Sequence, residues 1–422
     1  MASSLTYRRP VAFGERSVLN LTDLGILFGL FLAVMYAMDP FSIYIDKRTV
    51  FKHFHLMLII PFFVLAWFGV RLNVARPTFE PVTPILWPLM LLAVWIIGGA
   101  LYARLHSKII ETFLIMGSYM LVTAGAARFI ADHRDPERLL NRYLALLFGA
   151  ILIGAAWQAG YLRLWSKFHE MEALTVPLAA FFFVRAKSPM GRAMSLVLML
   201  VLMLLVIKNT SFLVTGIALA YLWWCFVRPR LRDTYALGRM LHFYGLAVLG
   251  VLVVASYAAI KWLKHDALPD GNPKYRLFTY ERTWADFTHS PIWGKSFSGA
   301  GAEQFGQFQV AASTQVLPSH SDLLDILGQG GLIGMLLFGF ALWRIGRYVY
   351  VNYRARRPDT LSRTMEAHFH WLALSCLASI PVVAFNPIML QPGKAFLLWM
   401  NVGIVLGIAM RCRANREAVN PT

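Results

Sequence analysis

The chain has 422 residues, of which 58% are hydrophobic and only 15% charged. A soluble domain carries nearer a quarter charged residues, so a soluble globular protein is excluded. The formal net charge of +18 is read as positive-inside bias and affinity for anionic lipid, not as a nucleic-acid surface.

Apolar runs of span length recur from one end to the other. The first, Leu21–Met38, is too long for a signal-peptide core and lacks a small-residue cleavage site, so it is expected to stay as a membrane anchor. Phe51–Val70, Val82–Ala103, Ile109–Ala131 and Tyr143–Leu164 follow. Met171–Val184 is short for a full crossing. Ala193–Ile207 and Thr210–Val227 are joined by the polar pair Lys208-Asn209, and Leu241–Leu263 comes next. After one long polar interval come Leu332–Val351, Phe369–Met389 and Ala395–Met410. The fold class is therefore all-α, a polytopic membrane protein of about 12 transmembrane helices. Residues 1–263 would hold nine spans, 264–331 one large loop with short helices, and 332–422 three spans and a tail.

Lysine and arginine set the orientation. With the N-terminus inside, 24 of the 40 basic residues fall in inside segments and 13 outside, five of those in the long loop. Both termini are then cytoplasmic, and residues 264–331 face the periplasm of a Gram-negative cell. Topology explains the inside cations. Lys208, between two apolar spans, and Arg163 and Lys167, beside the end of the fifth, need another reason. Snorkelling to lipid headgroups is the plain alternative for each. Together they suit a phosphate or pyrophosphate.

Within the loop, Pro273–Thr288 reads as an amphipathic helix with proline near its start. Arg276, Tyr280, Thr283 and Phe287 share one face of it, and Arg282 lies on the same helix. The stretch from Ser290 to Gly301 has turn chemistry, and its glycines would let backbone approach a ligand. It is no P-loop, because Gly-Lys-Ser lacks the earlier glycine and preceding strand. Ser319 is expected to cap a short helix, with Asp322 completing the capping box. That places His320 in the first turn, where the dipole disfavours imidazolium, and Gly328, Gly330 and Gly331 would end the helix. A neutral histidine there is a candidate base; packing at an interface is the bland alternative. Neither D-x-D nor H-E-x-x-H occurs, so no metal or other cofactor is indicated. The three cysteines lie outside the loop, which excludes a disulfide there.

From His320 to Gly334 the sequence HSDLLDILGQGGLIG resembles the H-[NS]-x-x-L…G-L-I-G signature of the O-antigen ligase and polymerase superfamily. Upstream, Arg276, Trp284 and the Pro291-Ile-Trp-Gly294 run resemble its loop arginine and aromatic-rich helix. The resemblance implies a GT-C-like glycosyltransferase working at the periplasmic face of the inner membrane. The donor would be O-antigen on undecaprenyl pyrophosphate, the acceptor lipid A-core, with membrane lipids as surroundings and no nucleic acid. It implies His320 as base and Arg276 as partner to the pyrophosphate, with Lys208 where the family often has arginine; Arg163, Arg282 and Tyr280 are further substrate-binding candidates. An O-antigen polymerase, a protein O-oligosaccharyltransferase, or an anion or lipid transporter are the rivals. Buried carboxylates are expected to be almost absent from the spans, against a proton-driven pump.

Overall fold

The computed structural model describes residues 82–99, 107–161, 171–206, 209–228, 271–297, 304–305, 308–309, 321–385 and 392–419. The expected spans Leu21–Met38, Phe51–Val70 and Leu241–Leu263 lie outside them. The described chain is helical. Its helices are α1 (Thr83–Gly98), α2 (Ser107–Asp132), α3 (Pro136–Tyr161), α4 (Glu172–Thr175), α5 (Leu178–Arg185), α6 (Pro189–Val206) and α7 (Asn209–Leu222). They continue with α8 (Gly271–His289), α9 (Asp322–Arg354), α10 (Arg363–Phe385) and α11 (Pro392–Val419). A π-helical turn, Trp223–Val227, extends α7, and Gln304–Phe305 pairs antiparallel with Phe308–Gln309.

Four segments among the described residues are long and apolar enough to cross a membrane: Thr210–Val227, Asp322–Arg354, Arg363–Phe385 and Lys394–Ala418. Large apolar side chains such as Met190, Val94, Leu114 and Leu336 stand exposed on the outer faces. So wide an apolar surface suits lipid and not water. The protein is a helical membrane protein. Glu172 to Arg185 forms two short helices around Val176-Pro177. At ~1.5 Å per residue that stretch reaches roughly 21 Å, short of the ~30 Å hydrocarbon core.

α11 is the central helix, with nearly all of its apolar window buried. Gly403 and Gly407 let it press onto α2, where an added Cβ would meet Thr123 O at 2.5 Å and Ala127 O at 2.5 Å. This is small-residue helix packing, which operates without a water-driven term. Thr123 Oγ1 also donates to Trp399 O at 3.1 Å across the contact.

One end of the bundle collects arginine. Arg411 donates to Ile130, Ala131 and His133 carbonyls at the end of α2, and Arg363 to Val184 and Ala186 at the end of α5. These cations occupy the carbonyls that every helix C-terminus leaves unpaired. In α1, Pro88 has no N–H for the carbonyl of Pro84, and Arg344 Nη2 supplies the donor at 2.7 Å. These arginines belong to the segments that the charge count assigns to one side. Two buried histidines lie in α10: His370 between the hydroxyls of Tyr221 and Tyr353, each at 2.8 Å, and His368 with Asn141 at 2.9 Å. Both are knitted into the packing.

Candidate functional site

The opposite end carries α8 and the start of α9. Ser321 is the cap of α9: its backbone is extended and its Oγ accepts from Leu324 N at 3.2 Å. The expected cap at Ser319 is therefore corrected by two residues. Starting at Asp322 puts both Asp322 and Asp325 in the first turn, where carboxylates complement the dipole. His320, in sequence, then precedes the cap instead of following it. His320, Arg163, Lys208 and Lys167 all lie outside the described residues.

Among the three glycines expected to stop the helix, Gly331 does so, with φ 63° and ψ −166°. The segment before it is a separate short helix, and Leu332 restarts the long one. The turn from Pro291 to Phe297 closes this break. Lys295 N donates to Gly328 O at 3.0 Å and Phe297 N to Gln329 O at 3.2 Å. Leu332 N donates to Pro291 O at 2.8 Å, and Trp95 Nε1 reaches Gly330 O at 3.0 Å. The carbonyls and amides that a break exposes are thus taken by one turn and one tryptophan. Trp95 also stacks on Trp293, with ring centroids 5.2 Å apart. Gly294, at φ 66°, is needed because a Cβ would lie 2.4 Å from Gly331 N. The glycines of this stretch were expected to admit a ligand; Gly294 instead admits the backbone of α9. A Lys295–Asp286 ion pair ties the turn to α8.

Gly331→Ala should therefore destabilise the protein by about 3 kcal/mol, since that backbone region is essentially glycine-only and the new Cβ would sit 2.3 Å from Ile292 O. Thermal unfolding in detergent, compared with Gly339→Ala in open space, is the measurement; equal midpoints would contradict it.

The amphipathic helix is present as α8, one or two residues longer at each end than expected. It lies beside the short helix in a steady register. Gly328 is held against Thr283, whose Cγ2 would be 2.6 Å from an added Cβ. Tyr280 feels both Arg276 and Asp325. Burial pushes its phenol up, Arg276 pulls it down and Asp325 adds to the rise. Both pairings, 283 with 328 and 280 with 325, share an offset of 45 residues. Arg276 Nε is buried with no hydrogen-bond partner among the described residues. Arg282 is half-buried on the same helix, six residues on and so roughly 120° around from Arg276. The structure thus brings Tyr280 near both Arg276 and Asp325 of the first turn of α9, and sets Arg282 on another face of α8.

Residues 194–339 match the family model described as O-antigen ligase. The matched stretch takes in α6 to the first half of α9, with Lys208, Arg276, Tyr280, Arg282 and His320 inside it. Over those residues the chain is similar to the O-antigen ligase family. Arg163 and α10–α11 lie beyond the match. No curated protein matches the chain.

Sequence reasoning missed two features at this end of the bundle. Glu172 is fully buried and accepts a hydrogen bond from Thr210 Oγ1. This carboxylate is an exception to the expectation that the spans hold almost none, and its position at the very start of a short helix disguised it. Lys394, in the first turn of α11, was counted only as an outside charge.

Proposed function

We propose that the protein is an O-antigen ligase of lipopolysaccharide biosynthesis. It moves O-antigen polysaccharide from undecaprenyl pyrophosphate to a sugar of lipid A-core at the periplasmic face of the inner membrane. About 12 spans, with both termini cytoplasmic, place α8 and the head of α9 on that face. The observation that carries the reading is the register of α8 on α9. It brings Tyr280 within electrostatic reach of both Arg276 and Asp325 in the first turn of α9, inside the stretch that matches the O-antigen ligase family model.

The chemistry needs little more. His320 takes the proton from an acceptor hydroxyl as its oxygen attacks the anomeric carbon. The bond from that carbon to the pyrophosphate oxygen breaks, and its electron pair leaves with undecaprenyl pyrophosphate. Arg276 and Lys208 offset the charge growing there. A single displacement inverts the anomeric centre. Pyrophosphate is a good leaving group, so no metal is required; Tyr280, Arg282 and Arg163 serve the glycan or phosphate. Extension of a lipid-linked glycan, the polymerase reaction, shares the donor and differs in the acceptor.

Removing the gene separates the two. Loss of a ligase leaves lipopolysaccharide without O-antigen while long glycan accumulates on undecaprenyl pyrophosphate. Loss of a polymerase leaves single repeat units on the lipopolysaccharide, and that result would overturn the ligase reading.

A further inference from the structure

The arginine-rich end of the bundle carries a repeated side-chain pair that the candidate site does not use. In α9, Phe340 and Arg344, Trp343 and Arg347, and Tyr350 and Arg354 each stand four residues apart, with the ring one turn nearer the helix start. Trp224 and Arg228, at the end of α7, repeat the spacing. In all four pairs the guanidinium lies over the ring. Its carbon is 5.8 Å from the ring centre of Phe340, 5.3 Å from that of Trp343, 5.8 Å from that of Tyr350 and 3.7 Å from that of Trp224. Arg354 Nη1 also donates to the Tyr350 hydroxyl at 2.6 Å. The ends of α7 and α9 share this end of the bundle, since Tyr221 and Tyr353 meet on His370.

Residues 340, 343, 347, 350 and 354 recur every three or four positions and form one stripe, exposed along its length among the described residues. The stripe continues the exposed apolar face of Leu332 and Leu336, which suits lipid. Arg344, beside it, is taken up by the Pro84 carbonyl, so Arg347 and Arg354 carry the charge of the stripe. No acidic residue lies in α9 between Ile326 and Arg354 to neutralise them. Plain snorkelling extends an arginine stem toward water. Here cation–π attraction holds each guanidinium over a ring of its own helix, and its edge keeps N–H donors in the geometry that a phosphate accepts. Cations fixed on a lipid-facing stripe complement an anionic headgroup.

We propose that the stripe from Trp343 to Arg354 binds anionic phospholipid in the leaflet at this end of the bundle. Arg347 and Arg354 take the lipid phosphates, and the rings of Trp343 and Tyr350 fix the two guanidiniums in place. The assignment needs the helical membrane fold and does not rest on the ligase reading.

Native mass spectrometry of the full chain, released from nanodiscs of equal phosphatidylglycerol and phosphatidylcholine, reads which lipids stay bound. Phosphatidylglycerol should be retained in preference. Arg347→Gln combined with Arg354→Gln should lower that preference about tenfold, the loss expected for two cations at an anionic surface. Trp343→Leu combined with Tyr350→Leu keeps both charges and should still lose most of the preference; an unchanged preference there would reduce the stripe to diffuse charge and overturn the assignment. Arg413→Gln, whose guanidinium is already held by Glu417 at 2.8 Å, should leave the preference as it is, and an equal fall in that variant would also overturn it. If a double variant fails to fold, the single changes Arg347→Gln and Trp343→Leu are measured in its place. Equal retention of the two lipids by the wild type contradicts the proposal. So does a preference that survives loss of the arginines, as it would if another segment of the chain covered the stripe.

Discussion

His320→Ala should lower kcat for glycan transfer by about 10²- to 10⁴-fold, the range that a positioned general base supplies. The donor KM and the unfolding temperature should barely move, because the side chain acts on the acceptor hydroxyl and not on the fold. The pH profile gives a second reading. A base works deprotonated, so wild-type kcat/KM should rise with pH through the titration of an imidazole, ordinarily near ~6.5, and then level off. The rise should vanish in the variant. His320→Gln separates base from orienting group: substantial activity in it would show that His320 only orients the hydroxyl through a hydrogen bond. Most of the wild-type rate in His320→Ala would remove the histidine from the mechanism.

Arg276→Ala should cost about 10²- to 10³-fold in kcat, as for the loss of one donor to a developing oxyanion. Arg276→Lys should recover only a small part, because an ammonium keeps the charge but loses the planar fork. Stability should move the other way. A buried guanidinium N–H without a partner among the described residues costs about 1–3 kcal/mol, a penalty that the bound pyrophosphate removes. The alanine variant should therefore unfold no lower than wild type, and undecaprenyl pyrophosphate should raise the wild-type midpoint but not that of the variant. A variant that loses activity and stability together would mark Arg276 as structural.

The helical spans were legible because their signal is long and uniform. The expected Leu332–Val351 matches the part of α9 after the break at Gly331, whereas α9 as a whole starts ten residues earlier, at Asp322, and α10 starts at Arg363, six residues before the expected Phe369. α8 was legible from Pro273 and the spacing of Arg276, Tyr280 and Thr283, which depends only on local periodicity. The cap of α9 was less so. Ser319 and Ser321 both offer a hydroxyl three residues before an amide, and nothing local chooses between them. The role of Gly294 needed the fold, since what approaches it comes from Gln329 and Gly331, more than thirty residues away. Pro88 was visible as a helix breaker, but its repair by Arg344, 256 positions on, was not. Glu172 and Lys394 lie at the ends of short or late helices, where a charge looks like a solvated terminus until its neighbours are known.

The central claim is that one chain moves a glycan from undecaprenyl pyrophosphate onto lipopolysaccharide without a metal. The direct measurement mixes purified protein, lipid-linked glycan and rough lipopolysaccharide in excess EDTA, and follows the lipopolysaccharide on a gel. The account predicts a ladder on the lipopolysaccharide, inverted at the new linkage, with one undecaprenyl pyrophosphate released per glycan joined. Glycan that lengthens on its own lipid carrier while the lipopolysaccharide stays unmodified would contradict it.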